Sequence, residues 1–188
     1  MDDQIHNGWL STARRVPSPN FDERPRDIDI NLVVIHGISL PAGKFGGPYI
    51  EALFTNTLNP HDDASFPEIY RMRVSSHLLI YRNGETVQFV PFTHRAWHAG
   101  DSCYQERIAC NDFSIGIELE GCDNVPYEDV QYRKLAQSIV ILGNHYPGIN
   151  THDVVGHCDI APDRKTDPGD AFDWRYLVKL LEEPKNTE

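Results

Sequence analysis

The apolar positions along the chain change period several times, and each change marks an element. Leu32-Val33-Val34-Ile35 is a continuous aliphatic run closed by His36-Gly37, the pattern of a strand buried on both faces that ends at the histidine. Gly43, Gly46 and Gly47 then make a flexible turn, and Pro48 suits the first turn of a short helix carrying Ile50, Leu53 and Phe54. The runs 74–81 and 86–90 flank Arg82-Asn83-Gly84-Glu85, and an Asn-Gly pair in that setting predicts an antiparallel hairpin. Residues 113–120 alternate strictly, so Ile115, Ile117 and Leu119 share one face while Ser114, Gly116, Glu118 and Glu120 share the other. From Pro126 the period becomes helical through Val130, Leu135, Ile139, Leu142 and Tyr146, and Pro147-Gly148 stops it. A second helix starts near Asp173 and carries Tyr176, Leu177 and Leu180.

These elements predict one α/β (α+β) domain spanning residues 1–188, with a central mixed β-sheet flanked by helices. A chain of 188 residues buries an adequate core without disulfides. Residues 1–7 and 182–188 read as loose termini, and the proline-rich stretch 16–25 as an extended arm over the surface, with the ordered core beginning after it. The segment 44–71, rich in glycine and proline turns, is expected to be mobile.

Composition narrows the partners. The 28 acidic and 17 basic side chains leave a net charge of −11, which argues against non-specific binding to nucleic acid or an anionic membrane. The longest aliphatic runs hold four residues, far from the roughly 20 that a membrane span needs. The start Met1-Asp2-Asp3-Gln4 is acidic where an export signal is basic, so a cytoplasmic monomer is expected. Cys103, Cys110, Cys122 and Cys158 form no Cys-x-x-Cys pair and are expected to be reduced thiols.

Among nine histidines, two close strands: His36 after Leu-Val-Val-Ile, and His157 after Asp153-Val154-Val155-Gly156, each beside a glycine that permits close approach. A loop stiffened by Pro162, Pro168 and Gly169 follows and contains Asp167. A catalytic zinc takes three His or carboxylate ligands and keeps a fourth position open. His36, His157 and Asp167 meet that count, though ordinary loop and strand-end residues would too. Cys158 is a rival ligand, but in extended backbone it points away from whatever His157 binds. Glu118 lies either on a solvated sheet face or in a buried place where a raised pKa suits general acid–base work. Gly116 beside it favours the second. Lys165, two residues before Asp167 in an extended loop, faces the same side; it is either an oxyanion-stabilising ammonium or a surface charge.

These residues sit in ordered blocks that together resemble the cytosolic zinc amidases of the AmpD type, within the wider fold shared by phage amidases and peptidoglycan recognition proteins. The blocks are Val16 to Phe21, Leu32 to Pro41, Val74 to Leu78, Arg95 to Gly100, Cys110 to Gly121, Gly156-His157-Cys158 and Ile160 through Trp174. The resemblance implies that His36, His157 and Asp167 bind Zn2+, that Glu118 acts on the attacking water and that Lys165 supports the oxyanion. It further implies that Arg73 helps hold the anionic sugar or stem peptide, and that Trp97 and His98 line the groove with His77 nearby.

Two departures stand out. Gly37 replaces an Asn common in the family, removing a side-chain amide near the metal, and Ala109 replaces an Arg, with Arg107 a replacement two positions earlier. The implied reaction is hydrolysis of the amide between N-acetyl-anhydromuramic acid and L-alanine in cytosolic muropeptides, in cell-wall recycling and hence in control of β-lactamase induction. The alternative is a non-catalytic peptidoglycan-fragment binding module of the same fold. Action on intact wall is disfavoured by the missing export signal.

Overall fold

The aliphatic run that begins at Leu32 organises the molecule. In the computed structural model, which describes residues 4–150 and 152–183, the chain opens with short strands β1 (Ile5–His6), β2 (Trp9–Leu10), β3 (Arg14–Arg15) and β4 (Phe21–Glu23). Then come β5 (Leu32–Ile38), α1 (Tyr49–Phe54), α2 (Phe66–Ile69), β6 (Leu78–Ile80), β7 (Thr86–Gln88) and β8 (His94–Ala96). A hairpin of β9 (Cys103–Tyr104) and β10 (Arg107–Ile108) precedes β11 (Ser114–Glu120), α3 (Asp129–His145), β12 (Val154–Gly156), α4 (His157–Ile160) and α5 (Trp174–Glu182).

Six strands form a mixed sheet in the order β12-β5-β11-β6-β7-β3. The first four run parallel, and β7 turns back antiparallel to β6 through the Asn-Gly turn, where Gly84 adopts a φ of +83°. Both faces of the central strands are covered, as their unbroken apolar runs require. On one face Val33, Ile35, Ile115, Ile117 and Leu119 pack against Leu135, Ile139 and Leu142 of α3 and Leu177 of α5. On the other, Leu32 and Val34 meet Ala99, Cys110, Phe113 and Ile160, while Leu79 and Val87 meet Ile50, Leu53, Phe54 and Phe66. The buried Gln131 seats α3: its side chain donates to the carbonyls of Ile80 and Glu120, at the ends of β6 and β11. No helix among the described residues is long and apolar enough to cross a membrane.

Four expectations need correction. Strand β5 continues through His36 and Gly37 to Ile38, so His36 lies within the strand rather than at its end. From residue 4 onward the N-terminal segment is not loose and does not precede the ordered core: β1 pairs with β2, and Ile5 and Leu10 are buried in the main cluster, while residues 1–3 lie outside the described residues. The proline-rich arm is stitched to the sheet edge, with the Val16 and Ser18 amides donating to the Gln88 and Phe89 carbonyls. The segment 44–71 contains two helices anchored by Ile50, Leu53, Phe54, Leu58 and Phe66. Its glycine turn is held by the Gly46 amide, which donates to Glu120 Oε1 at 2.6 Å. At the C-terminus, residues 184–188 lie outside the described residues, while Glu182 closes α5.

Leu10 tests the first of these revisions to the N-terminus. Its side chain is buried and its amide donates to Gln88 Oε1 at 2.7 Å. Leu10→Ala should lower the unfolding free energy by about 2–5 kcal/mol. Urea denaturation measures this, and an unchanged midpoint would return the segment to the status of a surface arm.

Candidate active site

The site forms where one face of the sheet exchanges aliphatic side chains for titratable ones. Parallel pairing sets His36 of β5 opposite Glu118 of β11, on adjacent strands and the same face. Pairing of β12 with β5 sets Gly156 opposite Ile35, so the next residue, His157, arrives beside His36 as the first residue of α4. The following loop returns Asp167: the Cys158 amide donates to the Asp167 carbonyl at 3.0 Å, and the Tyr127 hydroxyl donates to the Pro168 carbonyl at 2.9 Å.

Three ligand atoms converge. The Nδ1 atoms of His36 and His157 lie 2.9 Å apart, and Asp167 Oδ2 lies 3.2 Å from the first and 3.1 Å from the second. One atom from each residue falls within 4.8 Å of the others, and this is the metal-type cluster found among the described residues. Cys158 is not part of it. His157 Nε2 sits 3.2 Å from the Ala99 carbonyl, which can only accept, so Nε2 carries the ring proton and Nδ1 is left bare toward the cluster. A bare imidazole nitrogen and a carboxylate aimed at one point with a second imidazole fit a divalent cation of the zinc class.

Burial sets the electrostatics. His36 is 2% exposed, and loss of water is the main cause that takes its pKa down to about 4, against the opposing pull of Asp167. Glu118, 8% exposed, is pushed well above its ordinary value by burial and then by the Asp167 charge; the Lys165 ammonium opposes this. The Lys165 charge opposes the proton on both Glu118 and His36. A carboxyl with a raised pKa beside three convergent ligands can take up and return a proton near neutral pH.

The remaining expected site residues divide. Trp97 donates its indole N–H to Asp22 Oδ1 at 3.2 Å, and Asp22 is itself gripped by Arg95. Arg73 is exposed and donates to Asn56 Oδ1 and the Arg71 carbonyl. Arg107 is exposed, stacked 3.7 Å from the Phe113 ring centroid, with one N–H given to Asn31. His77 does not border a groove: it is fully buried, Nδ1 accepts from the Gly116 amide, and Nε2 donates to the His94 carbonyl. His98 is wedged against Gly116, where any β-carbon would come within 2.5 Å of its ring.

Gly37 also needs correction, because it pairs with Leu119 and so faces away from His36. A β-carbon there would lie 2.3 Å from the Tyr127 hydroxyl, so no side-chain amide is missing from the metal face. Tyr127, which braces the Asp167 loop, was not anticipated; its only trace in the sequence is the pair Gly37 and Gly121 that make room for its ring.

A family model described as N-acetylmuramoyl-L-alanine amidase matches residues 26–170. The 1,6-anhydro-N-acetylmuramyl-L-alanine amidase AmpD of Escherichia coli K12 is 58% identical over 180 residues, covering 95% of this chain and 98% of its own. The Haemophilus influenzae protein of that name is 52% identical over 177 residues, covering 94% and 96%. A crystal structure of a selenomethionine AmpD derivative superposes with a TM-score of 0.91 at 55% identity, over 94% of this chain and 98% of that one. The amidase AmiD of E. coli, solved with the substrate anhydro-N-acetylmuramic acid-L-Ala-D-γ-Glu-L-Lys, superposes with a TM-score of 0.58 at 30% identity, over 84% and 60%.

The buried histidines carry a pH signature. Because the folded pKa of His36 lies below 6.5, the unfolded chain binds a proton first. Its contribution is full above pH 6.5 and is lost as pH falls toward 4, at about 1.4 kcal/mol per pH unit. His77 and His98, depressed chiefly by burial, act in the same direction, whereas the raised Glu118 acts oppositely above its ordinary value. The metal-free protein should therefore lose urea stability between pH 6.5 and 4.5, and His36→Gln should flatten that slope; identical slopes would exclude a buried neutral His36.

Proposed function

The chain belongs to the N-acetylmuramoyl-L-alanine amidase family, and on that premise we propose that it hydrolyses the amide joining N-acetyl-anhydromuramic acid to L-alanine in muropeptides, with Zn2+ held by His36, His157 and Asp167. The observation that carries this reading is the convergence of three ligand atoms within 4.8 Å beside a buried glutamate. When bound, zinc supplies Lewis acidity, polarising an amide carbonyl and lowering the pKa of water from near 16 toward about 7.

The chain's own residues supply the rest. Glu118 accepts the proton of the attacking water and returns it to the leaving amine, the transfer for which its raised pKa prepares it. We assign to Lys165 the stabilisation of the oxygen on which negative charge develops as the carbonyl is attacked. His157 and Asp167 are held by backbone: the Ala99 carbonyl orients the imidazole, and the Tyr127 clamp on Pro168 fixes the aspartate's loop. Arg73, Arg107 and Trp97 are the side chains we assign to the anionic sugar and stem peptide, Arg through its bidentate fork.

We place the enzyme in the cytoplasm, in one amidase domain and as a monomer, acting in cell-wall recycling. Four free thiols suit a reducing compartment. Removing anhydromuropeptides would also lower any signal they carry for β-lactamase induction. Nothing favours the non-catalytic binding module, since the ligand set is complete and Glu118 is buried beside it.

Two measurements test the assignment. Glu118→Gln should keep the fold and one equivalent of zinc yet lower kcat by ~100-fold or more; full turnover in this variant would remove Glu118 from the mechanism. Incubation with soluble anhydromuropeptides and with intact sacculi, with and without chelator, should give chelator-sensitive cleavage of the soluble substrate. Cleavage confined to sacculi would reject the recycling role.

A further inference from the structure

Each ring in a chain of polar groups, buried at Ser114 and His36 and half-buried at His98, has one nitrogen whose role is forced by its neighbour, and the chain ends at His36. Ser114, fully buried, donates its hydroxyl proton to the Cys110 carbonyl at 2.6 Å. Its oxygen therefore faces His98 Nε2, 3.1 Å away, as an acceptor, and His98 must carry its proton on Nε2. The bare Nδ1 of His98 then lies 3.0 Å from His36 Nε2, which must donate. That leaves His36 Nδ1 without a proton, and Nδ1 is the atom that faces His157 and Asp167.

The neighbouring residue does the same for the second imidazole, because the Ala99 carbonyl fixes the proton of His157 on Nε2. Residues 98 and 99 are themselves pinned, both backbone amides donating to Asn111 Oδ1 at 3.1 and 2.8 Å. Arg164 adds a bond to the Ala99 carbonyl at 2.6 Å. Gly116 provides the space in which the His98 ring lies.

We propose that His98, oriented by Ser114, is a positioning residue that sets the tautomer of His36, and that the pinned pair His98-Ala99 prepares both imidazoles to bind the metal through Nδ1. This rests on the zinc reading above and reassigns His98 from the substrate groove to the support of the ligand set. Partners of this kind fix ring orientation, and their loss typically weakens metal binding 10–100-fold.

The test compares His98→Phe, which keeps a ring but no acceptor, with His98→Asn, whose side-chain oxygen can stand in for Nδ1. Zinc dissociation constants from chelator competition should rise about 10–100-fold in His98→Phe and recover most of that loss in His98→Asn. Ser114→Ala, which frees His98 to exchange tautomers, should fall between them. Independently of any metal, long-range proton–nitrogen NMR of the metal-free wild-type protein near pH 7.5 should show His36 protonated on Nε2, and His98→Phe should show a tautomer mixture.

Unchanged zinc affinity in His98→Phe, or a wild-type His36 protonated on Nδ1, would overturn the inference while leaving the zinc reading intact. Loss of affinity in His98→Asn as large as in His98→Phe would also overturn it, reducing His98 to packing. Wild-type protein that binds no zinc would overturn both.

Discussion

The in-register parallel pairing of β5 with β11 is the constraint on which the site depends. It sets His36 against Glu118 one strand apart, and the pairing of β12 with β5 brings His157 into the same row. Because side chains alternate along a strand, a slip of one residue would turn either group toward α3. The aliphatic side chains between them resist that slip: Ile35, Ile117 and Leu119 are fully buried on the opposite face. The hydrophobic core thus acts as the ruler that places the chemistry.

Dehydration then gives those groups their character. A buried imidazole stays neutral and available as a ligand, and a buried glutamic acid holds its proton more tightly, so burial pushes both away from their charged forms. Asp167, 3.2 and 3.1 Å from the Nδ1 atoms of His36 and His157, is the carboxylate of the cluster. Each of these groups is braced by something outside the cluster: Ala99 behind His157, His98 behind His36, and Tyr127 behind the Asp167 loop. The precision of the arrangement therefore comes from neutral and backbone groups that do no chemistry themselves.

Much of this was legible in the sequence wherever a local rule applied. Period-two alternation over 113–120 put Glu118 and Ser114 on one face and the core residues on the other, and β11 follows it. The Asn-Gly turn, the long helix and the helix starting at Asp173 also appear, the last capped by Asp173 accepting from the Tyr176 amide. The N-terminal segment was misread because proline-rich, polar stretches look like solvated arms. Its order comes from an unpaired sheet edge and from Gln88, partners about 70–80 residues away. Gly37 was misjudged for a related reason: with the strand assumed to end at His36, the face its neighbour would take was unassigned.

By itself the sequence determined the strand and helix periods and the pairing of titratable residue types with strand positions, and its ordered blocks pointed to the set His36, His157, Asp167, Glu118 and Lys165, of which His36, His157 and Asp167 converge. Which nitrogen of each histidine meets the ligand set, that His77 is enclosed, and that Tyr127 rather than a local turn holds the Asp167 loop were decided only by the tertiary structure. The reason is physical. Periodicity and turn chemistry are written in neighbouring residues, whereas burial and hydrogen-bond direction depend on groups brought together from 16 to 131 positions apart.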